Sequence, residues 1–131
     1  MNELNKADLK IIIVDDSDFS RTIISTMLTE EGFQVTGEAG SAEAAIPLIR
    51  EKSPDIVIAD IVMPNVSGLE LAEKIGQSFP DVAVIIISSL SQEHIVLDAI
   101  NAGASDFIAK PITKQQLIDS VEKIMAEKTK D

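Results

Sequence analysis

Residues 55–68, "DIVIADIVMPNVSG", decide the fold. Between Asp55 and Asp60 the chain is wholly apolar. It then turns through Met63-Pro64 to Gly68. An apolar run without polar alternation reads as a strand (55–60) buried on both faces of a sheet. Burying an unpaired carboxylate is costly, so Asp60 has two readings. Either it caps the strand in solvent, or it stands at the mouth of a site, exposed at the strand's end and outside the core.

Two similar runs, "KIIIV" (10–14) and "VAVIIIS" (82–88), read as further central strands. "QVTGEA" (34–39) alternates like a strand nearer the edge, and "DFIA" (106–109) reads as a fifth strand. Helical spacing fills the gaps. Phe19 to Glu31 places Phe19, Ile23, Ile24, Met27 and Leu28 at core-facing positions, with Gly32 as the stop. Ser41 caps a helix to about Lys52, and others run from Ser67 to Ser78 and from Ser91 to Gly103. Thr113 and Gln116 form a capping box for a last helix with Leu117, Val121 and Ile124 inside. Pro47 removes a backbone hydrogen bond, which predicts a kink or a late start in the second helix. Alternating strands and helices with short links predict an α/β fold: a parallel sheet with helices on both faces.

The chain has 131 residues, enough for one domain. We expect a polar extension (1–9), one domain (10–127) and a polar tail (128–131). Cysteine is absent, which excludes disulfides and thiolate metal sites. The formal net charge of −11 opposes nucleic-acid binding and an anionic membrane surface. With neither a signal core nor a spanning apolar run, a soluble cytoplasmic chain is expected.

Open α/β sheets bind ligands beyond the carboxyl ends of their strands. Those ends carry Asp15-Asp16, Asp60, Ser88-Ser89 and Lys110-Pro111. Asp15-Asp16 alone could be acids favouring a helix N-terminus. Together with Asp60 they make an oxygen-only cluster suited to Mg²⁺. Lys110 and a nearby hydroxyl would stabilise a tetrahedral phosphoryl group. Asp60, nearest the centre, could then be a nucleophile that forms an aspartyl-phosphate.

The motifs "IIIVDDS", "DIVIADIVMPNVSG", "VIIISS" and "AGASDFIAKPI" occur in the order and spacing of one family. Over about Lys10 to Met125 the chain resembles the receiver domain of two-component response regulators, of the CheY type. The resemblance implies the flavodoxin-like (βα)5 fold with strand order 2-1-3-4-5. It makes Asp60 the phospho-acceptor, Asp16 a direct Mg²⁺ ligand and Asp15 a ligand acting largely through water. The backbone carbonyl of Val62 would complete the protein's share of the metal shell. Lys110 would pair with the phosphoryl group, across a cis Lys110-Pro111 bond. Ser88 matches the switch hydroxyl and Phe107 the switch aromatic, which here lacks a phenol. Apolar Val62 and Leu90 stand where the family tunes dephosphorylation, which implies slow loss of the phosphoryl group. Without the family, Ser88 would be a strand-end hydroxyl, Phe107 plain core, and His94 a solvated side chain in a helix's first turn.

The resemblance further implies a monomeric switch, not an enzyme acting on other substrates; because the sequence ends after the fifth helix, a stand-alone receiver without an effector domain is expected. A sensor histidine kinase would phosphorylate it. The face made by the fourth helix, fifth strand and fifth helix would then bind a downstream protein. In chemotaxis that partner would be a flagellar motor switch protein, or a phosphatase. "IIISSLS" instead resembles the receiver of the chemotaxis methylesterase, so a receiver excised from a larger regulator is an alternative, as is a phosphorelay intermediate or phosphate sink. A haloacid-dehalogenase-like phosphatase would want a second acid where Val62 stands. A flavin module would want aromatic rings and a hydroxyl-rich loop after the first strand, and that loop is acidic.

Overall fold

The computed structural model describes residues 5–129, so residues 1–4 and 130–131 of the expected tails lie outside the described residues. Strands and helices alternate through β1 (Lys10–Val14), α1 (Asp18–Glu30), β2 (Gln34–Ala39), α2 (Ala42–Lys52), β3 (Ile56–Asp60), α3 (Gly68–Ser78), β4 (Ala83–Ser88), α4 (Glu93–Asn101), β5 (Asp106–Ala109) and α5 (Lys114–Lys128). All five strands are parallel, in the order β2-β1-β3-β4-β5. The expected fold class and strand order are thus observed. The order reverses beside β1 and β3, and this opens a crevice at their carboxyl ends.

The period of two along each central strand divides the core into two layers. Ile12, Val14, Val57, Ala59, Val84 and Ile86 pack under α2, α3 and α4. Ile11, Ile13, Ile56, Ile58, Ile85 and Ile87 pack under α1 and α5. β-branched side chains suit both pleated faces, and each fully buried one contributes about 1.5–3 kcal/mol of transfer free energy. Leu9, directly before β1, is also fully buried in the second layer.

Helix boundaries follow their caps. Ser17, Ser41, Ser67 and Thr113 each accept a backbone N–H three residues on, and the Thr113/Gln116 capping box forms as expected. Gly32 ends α1 with φ 89°, a left-handed conformation that a side chain would disfavour. Two expectations need correction. α2 continues through Pro47 from Ala42, so its start is not late. α4 begins at Glu93, later than the expected Ser91, with Gln92 at its N-cap and no side-chain capping bond there.

Phe19 also departs from its expected place. It has helical spacing, but it is 76% exposed, and Ile23 is partly exposed, while Ile24 and Leu28 are buried. Phe19 lies in the first turn of α1 and lines a cavity of about 390 Å³ with Ile23, Lys110 and Pro111.

Candidate functional site

The same alternation that builds the two layers assigns the strand-end residues to faces. Asp15 follows Val14, Asp60 follows Ala59 and Lys110 follows Ala109, so all three fall on the α1/α5 side with Ile13, Ile58 and Ile108. Ser88 falls on the other side with Ile86, and Phe107 packs against that same layer. The sheet's pleat therefore gathers the charged groups on one face and separates Ser88 and Phe107 from them.

The charged groups meet directly. Lys110 Nζ donates to Asp60 Oδ2 at 3.1 Å and to Asp15 Oδ2 at 3.4 Å, and it reaches Ser20 Oγ at 3.5 Å. Asp15 Oδ1 accepts from the Ser17 N–H at 2.9 Å. Carboxylate oxygens of Asp15, Asp16 and Asp60 all lie within 4.8 Å of one another. Lys110-Pro111 is cis, as the family resemblance implied. The backbone N–H of Lys110 donates to Ser88 O at 2.8 Å, continuing the β4–β5 ladder to the site.

Burial corrects one expectation. Asp60 is only 8% exposed and Asp15 is 0% exposed, so the acceptor sits in the packed end of the sheet; Asp16 is exposed. The compensation is Lys110, which a reading of β3 alone could not place. Burial raises the Asp60 pKa, helped by the Asp15 charge, against the Lys110 hydrogen bond and charge and the Val62 backbone amide. Burial also pulls on Lys110, but its hydrogen bond and charge interaction with Asp60, and those with Asp15, outweigh this and raise its pKa. At an effective dielectric of about 20, two like charges at this spacing repel by on the order of 3 kcal/mol. One ammonium against three carboxylates leaves the cluster short of positive charge.

An oxygen-only donor set, compact and under-neutralised, fits a hard divalent cation. Ser88 is fully buried, and its Oγ accepts from the Leu90 N–H at 2.9 Å, so the hydroxyl closes the turn after β4. Phe107 is half-buried beside a cavity of about 440 Å³ lined by Val96, Ile100 and Ala104. Val62 and Leu90 are both exposed, at 56% and 37%. His94 is exposed in the first turn of α4, as expected.

Three residues beside these were not singled out for the site by sequence. Ser20 carries no signal beyond its place in the first turn of α1. Arg21 donates to the Asp15 backbone carbonyl. At Gly68 a Cβ would fall 2.1 Å from the Asp60 carbonyl oxygen, so β3 and the start of α3 meet too closely for any side chain.

This fold, with its acidic crevice at the carboxyl ends of the strands, defines a receiver-type class of signalling domain. The chain belongs to the response regulator receiver domain family, whose model matches residues 11–122. It is 35% identical to the chemotaxis protein CheY of Thermotoga maritima over 88% of this chain and 96% of that protein. It is 40% identical to CheY of Listeria monocytogenes, over 88% of this chain and 97% of that protein. The crystal structure of the CheX-CheY-BeF3-Mg²⁺ complex from Borrelia burgdorferi superposes with a TM-score of 0.85 and 31% identity, covering 88% of each chain. The response regulator domain of Thermotoga maritima CheB gives a TM-score of 0.81 at 31% identity, over 94% of this chain and 98% of that one. Among the described residues, no helix is long and apolar enough to cross a membrane.

Proposed function

We propose that this receiver is a Mg²⁺-dependent phospho-acceptor switch, phosphorylated on Asp60 by a sensor histidine kinase and acting through a downstream protein in chemotaxis. The observation that carries this reading is the Asp60 carboxylate. It is buried, bonded to Lys110 and placed beside Asp15 and Asp16 at the sheet's carboxyl edge. An Asp60 oxygen attacks the donor's phosphorus, an O–P bond forms, the P–N bond to the histidine breaks, and the imidazole leaves. Lys110, already oriented by Asp15, turns its charge from Asp60 to the incoming phosphoryl oxygens. Asp16, Asp60, the Val62 carbonyl and, through water, Asp15 would hold Mg²⁺. When bound, the ion supplies the positive charge that lets these carboxylates and a phosphoryl group share one site. The Borrelia CheY complex, which contains BeF3 and Mg²⁺, supports the same requirement.

The signal crosses the sheet through Ser88. Its hydroxyl releases Leu90 and turns to the phosphoryl oxygen, Phe107 packs inward, and the α4-β5-α5 face shifts population toward the binding form. The partner docks there, as a motor switch protein or a phosphatase would. The exposed apolar Val62 and Leu90 offer an attacking water no polar group, so the aspartyl-phosphate decays slowly. A receiver module of a larger regulator is the second reading, favoured by the likeness to the CheB receiver.

Incubation with Mg²⁺ and a small acyl phosphate, followed by intact-mass measurement, tests the chemistry. Wild type is expected to gain one phosphoryl group, and Asp60→Asn none. No adduct on wild type, or an undiminished one on Asp60→Asn, would overturn it.

A further inference from the structure

We propose that Arg21 is a positioning residue for the metal-binding carboxylates, holding the Asp15-Asp16 turn in the geometry that captures the divalent cation; this rests on the Mg²⁺-dependent reading above. Arg21 stands in the first turn of α1, where the helix dipole disfavours a cation. Its side chain is nonetheless only 16% exposed, and the guanidinium is held by three groups on three segments. It donates to the backbone carbonyl of Asp15 after β1, pairs with Asp18 at the start of α1, and places Nε 3.3 Å from Glu38 of β2.

The Asp15 carbonyl belongs to the peptide plane that leads into Asp16. Orienting that plane fixes where the Asp16 side chain leaves the backbone. Asp15 itself is fixed by Ser17 N–H and Lys110. Asp16 is exposed and has no such clamp among the described residues, so its place in the cluster depends on the turn. The planar fork of arginine serves several acceptors at once, which one ammonium cannot reproduce.

Charge and position predict opposite outcomes. Removing a cation next to an acidic cluster would tighten Mg²⁺ binding if charge alone mattered. Loss of a group that orients a ligand typically weakens metal affinity by about 10–100-fold. Arg21 is already paired with two carboxylates, so position is expected to win.

The test is a Mg²⁺ titration followed by backbone amide shifts of Asp15 to Ser17, on wild type, Arg21→Met, Arg21→Lys and Glu38→Gln. Far-UV circular dichroism of each metal-free variant reports the fold. Arg21→Met is expected to weaken Mg²⁺ about tenfold or more. Arg21→Lys, which keeps the charge and loses the fork, should weaken it severalfold. Glu38→Gln, which leaves the Asp15 carbonyl contact, should stay within about threefold of wild type, well short of a lost orienting group. Arg21→Lys binding Mg²⁺ like wild type, or Arg21→Met binding it as well or better, would overturn the proposal, and the lysine variant decides should the methionine variant not fold. Wild-type amides that ignore Mg²⁺ would sink the metal-dependent reading itself. A responding wild type beside an unaffected Arg21→Lys would sink only the role of Arg21.

Discussion

Asp60 and Asp106 are the same residue type on the same face of one sheet, each with a lysine ammonium beside it. Lys110 stands 3.1 Å from Asp60 and Lys123 stands 3.2 Å from Asp106. Their pKa values nevertheless move in opposite directions. Burial lifts Asp60, with Asp15 adding to it, because the single lysine is shared between two carboxylates. Burial also acts on Asp106, but the Ser120 hydroxyl at 2.6 Å, the Phe107 N–H at 2.9 Å and Lys123 overcome it and lower its pKa. Asp106 is a satisfied tie between β5 and α5. Asp60 is an acid kept short of partners, the kind of perturbed group that functional sites collect.

The sharpest way to break the Asp60 side is through the backbone that carries it. A Cβ at Gly68 would lie 2.1 Å from the Asp60 carbonyl oxygen and 3.0 Å from the Ile61 Cα, and backbone cannot move aside like a flexible side chain. Gly68→Ala is expected to destabilise by about 3 kcal/mol or more in urea denaturation. Gly76, in the same helix with nothing within 4 Å of such a Cβ, is the control. Gly76→Ala should be neutral or stabilise by up to about 1 kcal/mol. Equal effects at the two positions would show that the approach of α3 to Asp60 is not tight.

The charges come next. Asp106→Ala strips the buried Ser120 hydroxyl of its acceptor and should cost about 1–3 kcal/mol, whereas Asp60→Asn, without divalent cations, should stabilise at neutral pH. Their pH dependences run in opposite senses. The Asp60 pKa is raised above 3.8 in the native state, which therefore binds its proton more tightly than the unfolded chain does. The penalty is absent below 3.8, builds as pH rises through the raised native value, and is full above it. The gain from Asp60→Asn should grow over that window. The Asp106 pKa is lowered, so its contribution is full above 3.8 and fades as pH falls through the depressed native value. The loss from Asp106→Ala should shrink in acid. Urea titrations across that range check both slopes, and slopes of the same sign would break the comparison.

Sequence carried the strands because three of them are apolar runs with polar ends, and it carried the acidic cluster because strand ends of parallel sheets converge. It could not carry how deeply Asp60 is buried. That depends on Lys110, a partner 50 residues away. Phe19 misled for a related reason. Helical spacing gives a residue's azimuth, but the first turn of α1 lies level with the crevice, beyond the packed layer that covers Leu28. Arg21 and Gly68 escaped because their partners are backbone carbonyls, which leave no trace in side-chain pattern.

The smallest structural change concerns time. Val62 is two residues beyond Asp60 and exposed, so Val62→Asn should shift stability by no more than about 0.5 kcal/mol. Its amide would offer a water beside the aspartyl-phosphate a hydrogen-bond partner that the valine methyls withhold. Decay of the phosphorylated protein, followed by intact mass after donor removal, is expected to quicken severalfold in the variant. Leu90→Asn, in the turn after β4, should do the same to a lesser degree, because its backbone stays tied to Ser88. Unchanged decay in both would mean that the apolar side chains of Val62 and Leu90 do not limit the water.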